Sequence, residues 1–333
     1  MPSSPSFVIQ IARLNIEVYG RDDDASACLN DLKRVFLHHI VKRHTVAGHR
    51  IIVCTPGSFR ISSDAILQWV SPCLGVAGSV SRYKSLFYRL FTHNKEIPRY
   101  SGTCNVICYR DQYRHIDYYM PENHIWRIEH KANEHVTYVY SDGRDEISDG
   151  LPSMLLNIIG SQYGYYLLFA SCVAIEGEAL LFTGHSGVGK TSLCMELIKN
   201  GLTYIGDDLV LLYRDKDRVM IGSLLFPLKT YDSVFGLHKK RIDVASQSSE
   251  RPLFNAHLKA VYYLKRQSDS VAESIIEPMQ GAEALEKMLM FSNRANTVFD
   301  GQLFVDTLSF VCSSVPCYTL SLGSPDRITP ALF

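Results

Sequence analysis

The chain has 333 residues, 46% hydrophobic and 20% charged, enough apolar content for a sizeable core; disorder is excluded and two domains are expected rather than one. Thirty-four Lys and Arg balance thirty-four Asp and Glu, leaving no global positive field to hold nucleic acid or an anionic membrane. The nine cysteines are an odd number with no Cys-x-x-Cys pair, a pattern of free thiols in a reducing cytoplasm.

In chain order, no positively charged segment precedes an apolar run at the N-terminus. The most apolar stretch, Tyr163 to Ile175, is shorter than the ~18–20 residues that span a bilayer, so neither export nor a transmembrane helix is expected. Residues 7–19 alternate as a first strand. Ala25 to His39 carries Leu29, Leu32, Val35 and Phe36 at helical spacing, and Arg50 to Cys54 reads as a second strand. Arg82 to Lys95 interleaves basic and aromatic residues around Leu86, Leu90 and Phe91, which predicts an amphipathic helix packed on its own domain. Between Tyr100 and Tyr140 the chain is rich in Tyr, Ile, Val and Trp, which favours short strands joined by turns such as Pro121-Glu122-Asn123. The Tyr113 to Tyr140 cluster is strand packing, and His124, His130 and His135 are spaced too irregularly for a helical metal pair. Ser141 to Asp145 reads as a turn and Pro152 to Tyr163 as a helix. The expected boundary lies near 145–150, with an N-terminal α/β domain of unassigned role over 1–148 and a nucleotide-binding catalytic domain over 149–333.

Beyond Phe169, the runs SCVAIE and EALLFT flank Glu176-Gly177, a two-residue hairpin turn. Gly184-His185-Ser186-Gly187-Val188-Gly189-Lys190-Thr191 then satisfies G-x-x-x-x-G-K-[ST], after an apolar strand and opening a helix. That context is what the chemistry needs. The glycines let the backbone curl so that successive N–H groups point at phosphate oxygens, and the helix N-terminus adds partial positive charge. Lys190 neutralises the β- and γ-phosphates, the Thr191 hydroxyl ligates Mg²⁺, and Ser192 completes the nucleotide-binding set. A helix is expected over Thr191–Lys199, stopped by Asn200-Gly201. The strand LTYIG comes next, with DDLVLLYR continuing into another.

Asp207 and Asp208 follow Lys190 after a single helix and strand. Adjacent carboxylates on a strand point to opposite faces, so one can approach an acceptor hydroxyl while the other reaches the metal shell. Lys239-Lys240-Arg241 is read as solvated surface. Lys229 divides evenly between surface and phosphate contact, and His185 occupies a variable position of the loop.

The segment ASCVAIEGEALLFTGHSGVGKTSLCMELIKNGLTYIGDDLVLL resembles the catalytic domain of HPr kinase/phosphorylase and HPr-kinase-related proteins, including kinases that modify peptides in lasso-peptide gene clusters. The resemblance is close from Phe169 to about Val210. It weakens through Phe226 to Lys229, the strand Leu258 to Arg266, a helix from Glu277-Pro278 to Leu289, and VPCYTLSL. It implies an α/β fold with a P-loop-containing mixed sheet, a layout shared with ATP-dependent phosphoenolpyruvate carboxykinase, together with Mg-ATP and a serine hydroxyl as acceptor. By the resemblance, Lys190 and Thr191 match the phosphate and Mg²⁺ positions, Asp207 the base and Asp208 the second carboxylate near the metal. Phe169 stands where HPr kinases and many relatives have a His that interacts with the first aspartate. The glycine-rich signature of HPr recognition is also missing after the Asp pair, which argues against HPr itself as substrate. The expected function is an ATP-dependent cytoplasmic kinase acting on a peptide or small protein, with no membrane or nucleic-acid partner and a homo-oligomer left open. Two rivals stand beside it: a kinase of a small metabolite, and a nucleotide-binding regulator or assembly factor, which Phe169 in place of His favours.

Overall fold

The computed structural model describes residues 7–11, 13–20, 26–36, 39–41, 48–54, 103–110, 114–121, 126–141, 150–224, 228–231, 239–242, 253–266, 273–292, 301–323 and 330–333. The expected helix over Arg82–Lys95, His124, and the turns at 122–123 and 142–145 lie outside them. The chain divides into two compact units, Met1–Leu155 and Leu156–Phe333. The division falls inside helix α2 (Gly150–Gln162). No helix among the described residues is long and apolar enough to cross a membrane.

The first unit is built on an eight-stranded mixed sheet. Its strands are β1 (Phe7–Ile11), β2 (Leu14–Gly20), β3 (Ile40–Val41), β4 (His49–Cys54), β5 (Thr103–Arg110), β6 (Arg114–Pro121), β7 (Trp126–Lys131) and β8 (Val136–Ser141). Their order is β3-β1-β2-β4-β8-β7-β6-β5. Residues 7–19 thus form a hairpin and not one strand, with Ile11 paired to Leu14. Helix α1 (Ser26–Val35) joins the parallel strands β2 and β4, as a parallel crossover requires.

The second unit carries a nine-stranded mixed sheet. Strands β9 (Tyr165–Leu168), β10 (Ala170–Ile175), β11 (Glu178–Thr183), β12 (Thr203–Gly206), β13 (Val210–Asp215), β14 (Arg218–Gly222) and β17 (Asn255–Arg266) run in the order β12-β10-β11-β17-β14-β13-β9. β18 (Ile275–Pro278) and β19 (Cys317–Leu322) complete it, β19 pairing with both β17 and β18. A separate ribbon joins β15 (Leu228–Tyr231) to β16 (Lys239–Ile242). Lys229 and the Lys239–Arg241 run therefore lie on paired strands. At the centre, β11 lies parallel to β17 and β17 parallel to β19. Their near-continuous apolar runs are those of strands covered on both faces, and helices cover both. α3 (Lys190–Lys199) presses Leu193, Cys194, Leu197 and Ile198 onto one face beside Phe182 and Tyr262. α4 (Gly281–Met290) and α5 (Gly301–Ser314) press Met288, Phe304 and Leu308 onto the other. The helix expected to open at Glu277-Pro278 starts later: those residues pair with Thr319 and Tyr318 as strand, and the helix begins at Gly281.

Candidate functional site

The site forms where the central strands end on the α3 side. Glu176 and Gly177 both have positive φ, 52° and 82°, the geometry of a two-residue turn whose twist matches its flanking strands. That turn sets β10 against β11 in register from Ala170–Thr183 to Ile175–Glu178. β11 then delivers the chain to the glycine loop, where Gly184, Gly187 and Gly189 have φ of 146°, 79° and 111°. A Cβ at Gly184 would lie 3.0 Å from the Leu264 carbonyl oxygen, and one at Gly189 would lie 3.3 Å from Leu322 Cδ1. The parallel neighbours β17 and β19 thus press on the loop as well as supporting β11. Lys190 opens α3, its Nζ donating to the carbonyls of Gly184 at 2.8 Å and His185 at 2.9 Å. The ammonium is thereby folded over the loop's mouth. His185, Ser186 and Gly187 are exposed, while Val188, Gly189, Lys190 and Thr191 are half-buried and Ser192 is exposed. Gly201, with φ of 95°, closes the helix, and Leu202 N–H donates to the Leu197 carbonyl at 3.0 Å.

The aspartates lie beyond the end of β12 and not within a strand. β12 pairs Cys172 with Gly206 and Val173 with Tyr204, so Ile205 is the extra residue of a bulge, a device that re-aims side chains. Ser223 Oγ donates to the Ile205 carbonyl and satisfies it. Beyond the bulge, Gly206 lies where a Cβ would meet Val210 Cγ1 at 2.7 Å, and Asp208 is left-handed with φ of 63°. The two aspartates therefore sit on a turn, and strand alternation does not set the directions of their side chains.

Asp207 is 2% exposed. Thr191 Oγ1 lies 3.0 Å from each of its carboxylate oxygens, and Ser171 Oγ donates to Oδ1. Burial pushes its pKa up and the negative charge of Asp208 adds to that, against the hydroxyls of Ser171 and Thr191, which pull it down. A buried carboxyl with raised proton affinity is a group suited to accept a proton. Its hydroxyl partner is the first helical threonine after the lysine, so the loop and the Asp turn form one cluster. From β10 it is Ser171, two residues past Phe169, that reaches Asp207. Phe169 is 47% exposed, and its N–H donates to the Phe291 carbonyl at 3.2 Å. Phe291 in turn sets its ring edge-on to His185 with centroids 5.0 Å apart, and lies 5.5 Å from the Tyr263 ring. The thiols of Cys172 and Cys194 beneath the site are pushed up by burial and carry no thiolate chemistry.

Sequence reasoning brought Gly184–Ser192, Asp207 and Asp208 forward. It missed Ser171, Ser223 and Phe291. Ser171 had a signal, a hydroxyl in an apolar strand that must find a partner; Phe291 lies 120 residues further on and had none.

The residues present fit a nucleotide phosphate chain and Mg²⁺. The loop presents a helix N-terminus and a lysine, a Cβ at Gly187 would meet nothing within 4 Å, and Thr191 beside the Asp207 carboxylate, with Asp208 next along the chain, offers hard oxygen donors of the kind Mg²⁺ takes. Among the described residues no three His, Cys, Asp or Glu side chains form a metal cage.

Residues 165–237 match the HPr Serine kinase C-terminal domain. The chain is 24% identical over 113 residues to an HPr kinase/phosphorylase of Chloroherpeton thalassium, covering 29% of this chain and 33% of that one. It is 44% identical over 50 residues to one of Latilactobacillus sakei, covering 15% and 16%. The matched stretch spans a third or less of the length of these relatives. Among solved structures, the Hpr(Ser) kinase/phosphatase from Coxiella burnetii is 15% identical with a TM-score of 0.28, covering 47% of this chain and 85% of that one. The likeness to the HPr Serine kinase C-terminal domain thus falls within the second unit, on the stretch that carries the glycine loop and the Asp pair.

Proposed function

We propose that the chain is an ATP-dependent kinase that transfers the γ-phosphoryl group to a hydroxyl, that of a serine in a peptide or small protein. One observation carries the reading: Asp207 is buried, has raised proton affinity, and is hydrogen-bonded at both oxygens to Thr191 of the glycine loop. The kinase names of the relatives support the same reading.

In this mechanism the loop N–H groups of Gly184–Thr191 and the α3 N-terminus hold the β- and γ-phosphates. Lys190 Nζ exchanges its two carbonyl partners for phosphate oxygens and offsets their charge. Asp207 accepts the proton of the attacking hydroxyl as its oxygen bonds to phosphorus, and ADP departs in line. Mg²⁺ would be held by Thr191 and Asp208 and would supply positive charge to offset that of the phosphates. Positioning and electrostatics supply the rest of the rate.

The full chain is incubated with γ-labelled Mg-ATP and cell extract, and protein is separated from small molecules. Label in a peptide or protein is expected. Label in a metabolite moves the acceptor to a small molecule, and label in free phosphate alone, or ATP left intact, defeats the kinase reading.

A further inference from the structure

Ser171 is a hydroxyl inside β10, fully buried and paired with Phe182 of β11. Nothing in the packing of an apolar strand calls for it. Its Oγ donates to Asp207 Oδ1, whereas Thr191 Oγ1 lies 3.0 Å from both Oδ1 and Oδ2. Thr191 has one hydroxyl proton, shared between equidistant oxygens, so it cannot fix the rotation of the carboxyl plane. Ser171 breaks that symmetry because it engages Oδ1 alone.

We propose that Ser171 is a positioning residue that locks the Asp207 carboxyl plane and leaves Oδ2 as the oxygen presented to the acceptor hydroxyl. The inference rests on the kinase reading above. The elements involved are independently held: the β10–β11 hairpin fixes Ser171, and the bulge at Ile205, with Ser223 on its carbonyl, fixes the backbone that carries Asp207. The orientation of the carboxyl group is the one remaining freedom, and misalignment of a reacting group costs rate rather than ground-state binding. The hydroxyl of Ser171 is engaged by the Asp207 carboxyl and the Cys194 thiol, whereas Lys190 is bonded to the loop carbonyls, so nucleotide affinity is not the concern of Ser171.

The test uses the full chain with γ-labelled Mg-ATP, following cleavage to acceptor or to water, with Mg-ATP affinity measured separately by thermal shift. Ser171→Ala is expected to lower kcat by about ten- to a hundredfold, with KM and affinity within about twofold of wild type. In an Asp207→Asn background the same change is expected to produce no further loss, because the residue acts only through that carboxyl. Ser171→Cys, which keeps the volume, takes the place of the alanine variant if the latter does not fold. Wild-type kcat in the variant, a parallel loss of ATP affinity, or an equal loss in the Asp207→Asn background overturns the positioning role alone. A wild-type chain that binds Mg-ATP and never cleaves it overturns the kinase reading and the positioning role with it.

Discussion

In the first unit, His49 on β4 is 1% exposed. Its Nε2 lies 2.9 Å from Thr137 Oγ1, and His130 Nδ1 lies 2.8 Å from the same oxygen. The two imidazoles stack with centroids 5.2 Å apart and planes 7° from parallel. One hydroxyl can donate to only one ring, so at least one of the two rings donates to it. Burial, with the positive charges of His135 and Arg50 adding to it, lowers the His49 pKa from 6.5 to about 3. A base whose folded pKa is depressed takes up its proton in the unfolded chain first. Its contribution to stability is therefore full above pH 6.5 and is lost as pH falls towards 3. At 1.36 kcal/mol per unit, lowering the pH from 7 to 5 should cost about 2 kcal/mol. Trp126 lies on β7 of the first unit and the second unit has no tryptophan, so tryptophan fluorescence in a urea titration follows the first unit. His49→Gln should flatten the slope while wild type keeps it. A wild-type loss within ~0.5 kcal/mol of the variant's between pH 7 and 5 would refute the reasoning.

The nucleotide site yields three further expectations. Mg-ATP should stabilise the second unit by ~2.7 kcal/mol at a hundredfold excess over Kd, and Lys190→Ala should remove most of that shift, as differential scanning calorimetry would register. Thr191→Val keeps the shape and loses the hydroxyl that joins the loop to Asp207; phosphoryl transfer should fall much further than ATP affinity, and equal activity would sink the role given to that hydroxyl. Asp207→Asn should leave ATP affinity intact and lower transfer by roughly 10² to 10⁴. Since burial already disfavours the charge, the melting temperature of this variant should hold or rise, and transfer at the wild-type rate would send the search for the base elsewhere.

What the sequence disclosed and what it withheld divide along local and non-local physics. The hairpin at Glu176-Gly177, the glycine loop and the opening of α3 are short-range: residues that tolerate positive φ, an apolar strand before and a helical period after. Each is readable from neighbours within a few positions. The Asp pair was legible as a pair but not as a geometry. Its orientation depends on a register shift between β10 and β12 and on Gly206 lying against Val210, and register is a property of two strands that meet only after folding. Residues 7–19 hid a hairpin because Ala12 and Arg13 carry none of the turn chemistry of Gly, Pro, Asn or Asp. Glu277 and Pro278 were drawn into a strand by β19, a partner supplied forty residues later. The same reasoning explains Ser171. Its hydroxyl is conspicuous in the run Ala170–Ile175, but its value is set by Asp207, thirty-six residues distant. Two kinds of information therefore meet in this site: a phosphate-shaped loop written locally, and a carboxyl whose depth, proton affinity and orientation are all set by sheet register. The first says that a nucleotide fits. The second bears on the proposed transfer: burial and the charge of Asp208 raise the free energy of the Asp207 carboxylate against the two hydroxyls that stabilise it, and a carboxyl left with raised proton affinity is suited to take a proton from an acceptor.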